Sequence, residues 1–289
     1  MATIIEMLAQ REGKPLFLCD FSPPKGADTS TLERVMAVGA DCVSVAYSPG
    51  KAVRVDPAVV AHLIRQRGDQ EAMFTLACRD MNKLAIQNHL LGAQLLGVEN
   101  VLVLQGDRFT ERDTALMKEV RDFTPTGLIR AIAAMNEGTD FRSSSLRAPT
   151  AFCIGATIDL GRGPMEREVA LAVRKVDAGA DFFITQTFFD VSLARRFLDI
   201  YHTHTGTTFP RPIFYGLQIL VQDGLIFGDV PEATRHELEQ GRPGTEIALE
   251  QLRSYVDNAM QGIYLVPPIL KGGRRDYAAA QELLEAFRR

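Results

Sequence analysis

The sequence predicts one (β/α)8 barrel spanning residues 1–289, and three observations lead there. Eight short apolar runs rich in β-branched and aromatic residues recur along the chain. Helix-length segments separate them. Most runs are apolar throughout instead of alternating, which suits parallel strands covered on both faces. An open doubly wound sheet carries the same alternation, but a count of eight matches closure into a barrel, and barrels routinely take a chain of this length as one unit.

The runs are 16–21 (LFLCDF), 42–47 (CVSVAY), 72–78 (AMFTLAC), 100–105 (NVLVLQ), 151–157 (AFCIGAT), 181–185 (DFFIT), 212–217 (PIFYGL) and 262–266 (GIYLV). Between the third and fourth, residues 81–96 repeat apolar side chains at helical spacing (Leu84, Ile86, Leu90, Leu91, Leu95), and Gly97 stands where a C-cap belongs. Between the fifth and sixth, residues 165–178 do the same with Val169, Leu171, Val173 and Val176 before Gly179. Three stretches are too long for simple connections: 108–125, rich in charge and Thr; 136–149 (NEGTDFRSSSLRAP); and 222–243, with room for a short extra helix. They are expected to be inserted loops serving as lids or partner surfaces.

Composition excludes several classes. The chain is 46% hydrophobic with a net charge of -4, and its basic residues form no stripe, so no nucleic-acid partner is expected. Cys19, Cys42, Cys78 and Cys153 sit far apart inside apolar runs, which reads as buried free thiols and neither zinc ligation nor a disulfide scaffold. No segment is long and apolar enough for a membrane span, and the N-terminus, with Glu6 and Glu12, has no signal-peptide core, so a cytoplasmic protein is expected. Homo-oligomerisation or a partner subunit remains open, since helix faces toward barrel and partner look alike in sequence.

In such a barrel the reacting groups come from strand C-termini and the loops after them. Those positions offer Asp20 and Ser22; Ser44 and Tyr47; Thr75 and Arg79; Gln105, Gly106 and Asp107; Thr157, Asp159 and Arg162; Thr185 and Gln186; Gln218; and Lys271, Arg274 and Arg275. The ring contains no histidine, because His62, His89, His202, His204 and His236 all fall in helices or outer connections. A histidine metal centre or a Ser-His-Asp triad is therefore not expected, nor is any metal site, and phosphate-loop motifs are absent. Asp20, between Cys19 and Phe21 and ahead of Pro23-Pro24, reads as a carboxyl in an apolar, rigid setting suited to a general acid. Asp107, in a Gly turn, reads as a holder of a ligand amine or ring NH. Each has a plain structural alternative, Asp20 capping a turn and Asp107 a helix N-terminus.

The segments FLCDFSPPKG, VSVAY, VLVLQGD and VRKVDAGADFFITQTFFD resemble the barrel motifs of the methylenetetrahydrofolate reductase family (FEFFPPK, VSVTY, LRGD, KRKVDAGA…ITQFFFD). TLACRDMNKLAIQNHLLGAQLLGVENVLVLQGD and GIYLVPP are similar to the branch also found fused to homocysteine methyltransferase domains. The resemblance runs from about Phe17 to Tyr277. It implies a barrel that binds FAD, takes electrons from NAD(P)H or another donor, and reduces 5,10-methylenetetrahydrofolate to 5-methyltetrahydrofolate by a ping-pong route.

By that resemblance the proton-handling glutamate of FEFFPP falls on Asp20, the aspartate of RGD near flavin and pterin on Asp107, and the folate-contacting glutamine of ITQ on Gln186. The flavin-phosphate lysine falls on Lys175, with Arg174 beside it. Tyr47 and Ala46 fall among positions lining flavin and substrate, and Thr75, Gln105, Gly106 and Thr157 complete the implied cofactor contacts. The chain departs from the pattern where Asp20 is a methylene shorter than glutamate, Gln105 replaces arginine, Thr75 replaces histidine, and Gly161 stands where a histidine often touches FAD. These departures leave a second reading: a folate- or pterin-binding barrel without flavin reductase activity, serving as a partner or regulatory subunit in methyl transfer. A third, an aldolase or lyase barrel, lacks the strand lysine such enzymes often use.

Overall fold

A computed structural model describes residues 2–289. Eight parallel strands close in sequence order into a barrel: β1 Leu16–Phe21, β2 Cys42–Val45, β3 Glu71–Ala77, β4 Asn100–Leu104, β5 Cys153–Ile158, β6 Phe182–Thr187, β7 Ile213–Gln218 and β8 Gly262–Val266. The helices are α1 Ile4–Ala9, α2 Ser30–Met36, α3 Pro57–Arg67, α4 Lys83–Leu95, α5 Glu111–Thr114, α6 Pro125–Asn136, α7 Met165–Asp177, α8 Ser192–Thr205, α9 Glu232–Glu239, α10 Gly244–Asp257 and α11 Tyr277–Arg288. Every run expected to be a strand is one, with ends shifted by a few residues.

Strand alternation divides the core in two. Outward residues such as Cys19, Phe21, Val43, Val45, Phe74 and Phe183 pack under the helices. Inward residues Leu16, Leu18, Cys42, Met73, Leu102, Phe182, Ile184 and Phe214 fill the barrel, and Ile4 of α1 closes its base. Filling depends on Gly155: a Cβ there would lie 2.4 Å from the Phe182 ring, which packs edge-on against Phe214 at 5.9 Å. Asn100, 2% exposed, anchors the basal helix by accepting from Ile4 N at 2.9 Å and donating to Ala2 O.

Gly97 and Gly179 terminate helices at φ 73° and 105°, as their positions predicted. All four cysteines are free and buried. On α4 the expected apolar face is only partly inward, since Ile86 and Leu90 are buried while Leu84, Leu91 and Leu95 are exposed. Loop 136–149 connects a helix to the next strand, so it lies at the N-terminal end of the barrel, opposite the strand C-termini where a lid would work. Loops 108–125 and 222–243 do flank the C-terminal face, and each holds a short helix, α5 and α9. No helix among the described residues is long and apolar enough to cross a membrane.

Candidate active site

At the C-terminal ends of the strands a cavity of about 540 Å³ opens above an apolar floor that includes Leu102, Leu104, Ile184 and Val266. Asp20, Tyr47, Thr75, Gln105, Gly106, Asp107, Thr157 and Gln186 all border it, so the residues singled out in sequence from six strand ends converge on one space. None of the residues lining it is a histidine. A second concavity of about 930 Å³ continues outward over α6 and α7, sharing Arg79, Gln105, Gly106, Thr157, Arg162 and Gln186 with the first.

Asp20 is buried but does not occupy the apolar setting its sequence neighbours suggested. Cys19 and Phe21 point out to the helix layer, and alternation turns Asp20 inward. There its Oδ1 accepts from the Tyr264 hydroxyl at 2.9 Å, and its Oδ2 lies 2.5 Å from Arg275 Nη2. Burial, then the neighbouring carboxylate, push the Tyr264 phenol well above its ordinary range, so it stays a hydrogen-bond donor. Arg275 is held protonated: burial opposes its charge, but Asp20 and nearby phenols outweigh that. Asp20 caps no turn.

The Gln105-Gly106-Asp107 turn is held from beneath. Gly106 has φ 82°, and a Cβ there would lie 3.1 Å from the Arg79 Cβ. Arg79, itself buried, donates through Nη1 to Asp107 O at 3.1 Å, forks onto Asp80, and places its guanidinium 4.8 Å from the Phe109 ring centroid. That arrangement leaves the Asp107 side chain exposed at the cavity edge, and it caps no helix; the following one, α5, is capped by Thr110. Thr75, buried, accepts through its hydroxyl oxygen from Tyr47 N at 2.5 Å, just past the end of β2, where Tyr47 stands at the cavity wall. Gln186 is the exposed position of β6, near a register shift against β7.

The outer groove is cationic. Seven Arg and Lys side chains line it against three carboxylates, in a chain whose net charge is -4. Among the described residues Arg108, Arg130, Arg162 and Arg174 have no salt-bridge partner. Lys175 is buried, donates to Thr157 O at 2.5 Å, and has its pKa lowered by burial. Unpaired guanidiniums around a buried ammonium fit a pyrophosphate-bearing dinucleotide, and the cavity beyond, apolar beneath and polar at its edge, fits a fused ring system. On these grounds the residues present suit FAD. Gly161, exposed in loop 159–164, offers no side chain to it.

Sequence reasoning missed four contributors. Tyr264 follows from alternation, since it pairs with inward Leu18 and faces the same way. Phe227, on the inserted loop after β7, reaches the cavity because Gln218 clamps the loop, donating to Leu225 O at 2.7 Å and accepting from Phe227 N at 2.8 Å. Arg121 and Arg130 reach the groove only through tertiary packing. Of the basic residues expected after β8, Arg275 lines the cavity, while Lys271 and Arg274 are not among its walls.

With this geometry in place, comparison with known proteins decides the family. The family model for methylenetetrahydrofolate reductase matches residues 5–221. The chain belongs to the methylenetetrahydrofolate reductase family. Similar members of known name include methylenetetrahydrofolate reductase (NADH) 1 of Zea mays, 26% identical over 202 residues that make up 66% of this chain and 33% of that one. The 5,10-methylenetetrahydrofolate reductase of Pectobacterium carotovorum subsp. carotovorum is 24% identical over 67% of this chain and 61% of its own length. The chain thus spans about a third of the plant relative's length. Among solved structures, an uncharacterized protein from Clostridium thermocellum that binds two copies of 5-methyl-5,6,7,8-tetrahydrofolic acid shares the fold at TM-score 0.68 and 13% identity, over 98% of both chains. A 2,3-dimethylmalate lyase shares it at TM-score 0.54 and 15% identity, over 100% of this chain and 85% of that one. Family membership and fold agree, and the match ends before Tyr264 and Arg275.

Proposed function

We propose that the protein reduces 5,10-methylenetetrahydrofolate to 5-methyltetrahydrofolate, using bound FAD and NAD(P)H as the electron donor. The observation that carries this reading is a cationic groove running without interruption into a polar-edged cavity at the strand C-termini, in a chain of this family. A folate ligand is supported by the 5-methyltetrahydrofolate bound to the Clostridium thermocellum protein of the same fold, and a nicotinamide donor by the NADH designation of the maize relative.

Arg174 and Lys175 would hold the FAD phosphates, with Tyr47, Thr75, Gln105, Gly106, Asp107 and Thr157 around its rings. Bound there, FAD would supply a two-electron carrier between the donor and the folate. The chain's own residues do the remaining work. The apolar floor would keep water from the underside of a bound ring system. Asp107, exposed and with a carboxylate free of internal hydrogen bonds among the described residues, accepts from pterin N–H groups, while Gln186 offers a donor and an acceptor to the same edge. Arg79 supplies a guanidinium beneath the turn where Gln105 stands in place of the family's arginine. Opening the imidazolidine ring needs a proton at its nitrogen and leaves a cationic iminium; Asp20, whose side chain borders the cavity, is the carboxyl that would serve that step.

The test is product formation. Protein supplied with FAD, methylenetetrahydrofolate and either NADH or NADPH should yield 5-methyltetrahydrofolate by mass spectrometry. No product with either nicotinamide, from protein that still binds 5-methyltetrahydrofolate, would favour the pterin-binding partner reading, which Gln105 and Thr75 in place of the family's arginine and histidine support.

A further inference from the structure

The corner where β1, β2 and β8 meet beneath the cavity holds a buried charge pair. Asp20 and Arg275 side chains are 7% and 8% exposed. Replacing such a pair by packed apolar side chains is often neutral or stabilising, so its retention at a cavity wall calls for a reason other than stability. Arg275 is brought there by a loop built for the purpose. After β8 the chain turns back through Gly272 and Gly273, at φ 86° and 82°, and pairs Ile269 with Arg275 as an isolated antiparallel bridge. Leu270 N donating to Arg274 O at 2.8 Å, and Asp276 N to Pro268 O at 3.0 Å, lock the return.

Two groups from different elements hold the carboxylate, one by a hydrogen bond and one by charge. Tyr264 on β8 donates to Oδ1, and Arg275 lies against Oδ2. The Arg275 N–H is not aimed at Oδ2, however, and Oδ2, Arg275 Nε and Ser44 Oγ are all buried without a hydrogen-bond partner among the described residues. Ser44 stands opposite Asp20 in the β1/β2 register, so these unmet groups share one corner. Leaving buried polar atoms unmet costs stability, so this corner is kept for something other than the fold. Asp20 is also a methylene shorter than the glutamate of the family motif, so the place of its carboxyl has to be set by something other than side-chain length.

We propose that Tyr264 and Arg275 are positioning residues that fix the Asp20 carboxyl at the ring-opening end of the folate, making the loop after β8 part of the active site. The proposal rests on the folate-reductase reading above. Tyr264 sets the plane of the carboxyl through Oδ1, and Arg275 holds the other side of the carboxyl by charge, so that the group keeps one place at the cavity wall. Neither residue needs to touch the folate.

A double-mutant cycle decides it. Binding of 5-methyltetrahydrofolate to flavin-free protein is measured by titration calorimetry for Tyr264→Phe, Arg275→Met and Asp20→Asn singly, and for the first two combined with Asp20→Asn; melting temperatures check folding, and Arg275→Lys serves as the milder variant if Met unfolds the corner. Each single change is expected to weaken binding about tenfold and to lower kcat more than it raises KM, and neither should weaken binding further once Asp20 is Asn. Effects that multiply in the Asp20→Asn background mean that Tyr264 and Arg275 act independently of Asp20 and overturn the proposal. Wild-type protein that binds the folate without reducing it defeats the reductase reading alone, because the binding cycle still decides positioning. No folate binding by wild type overturns both.

Discussion

Lys175 of α7 reaches under the groove to donate its Nζ to the carbonyl of Thr157, 2.5 Å away at the cavity end of β5. One side chain therefore links the cationic groove to the cavity. Burial lowers its pKa below the ordinary lysine value, so its charge is lost at a lower pH than for a surface lysine. Where the folded-state pKa of a lysine lies below the unfolded one, the buried charge opposes folding at low pH and that penalty fades as pH rises through the folded value. Anion binding runs the other way, since it needs the charged form. Affinity for FAD is accordingly expected to fall as pH rises through the alkaline range, and Lys175→Met should weaken FAD binding about tenfold or more at neutral pH and flatten that dependence. Fluorescence titration of FAD across pH checks both.

Gly106 allows no side chain. Its φ is 82°, and a methyl group on its Cα would stand 3.1 Å from Arg79 Cβ, so Gly106→Ala combines backbone strain with a clash under the Gln105-Gly106-Asp107 turn. A loss of about 1–3 kcal/mol is expected, with folate binding lost along with the turn. Thermal unfolding and folate titration give the two readings.

Gly155→Ala should act on stability without touching a ligand. The added methyl meets the Phe182 ring at 2.4 Å inside a filled barrel. Overpacking of that kind is expected to cost about 1–3 kcal/mol, read as a lowered midpoint in urea at unchanged slope.

Gln218→Leu removes both hydrogen bonds that tie residues 225–227 to β7, leaving Leu225 O without that donor and Phe227 N without that acceptor. The Phe227 wall should loosen, raising KM for folate several-fold with a smaller change in kcat, as initial-rate kinetics would report.

The barrel was legible because parallel strands under two covers leave long apolar runs, and because glycines such as Gly97 and Gly179 mark where helices stop. Most of the candidate site was legible for a related reason: strand C-termini in this fold point at one space, so Asp20, Asp107, Thr157 and Gln186 converge without knowledge of their contacts. The setting of Asp20 was misread because adjacent residues on a strand face opposite layers, and its environment comes from Tyr264 and Arg275, at the far end of the chain. The exposed Leu84, Leu91 and Leu95 show the same limit on a helix, where spacing identifies an apolar face but not what covers it. The groove arginines from loop 108–124 and α6 had no sequence signal, since only packing brings them beside Arg174.

Substituting Asp20 by Asn keeps shape and removes charge. Folate reduction should fall by about a hundredfold or more, while NAD(P)H still reduces the bound flavin, because Asp20 serves the folate step. Stopped-flow measurement of the two half-reactions separates them, and full folate reduction in Asp20→Asn would remove Asp20 from the mechanism.

The most direct test of the central claim is the visible absorption spectrum of the purified protein with FAD, followed on addition of NADH or NADPH and then of methylenetetrahydrofolate. The account predicts a bound-flavin band that bleaches with the nicotinamide and returns with the folate. Protein that takes up no FAD at any concentration, or whose bleached flavin does not recover on adding the folate, would contradict it.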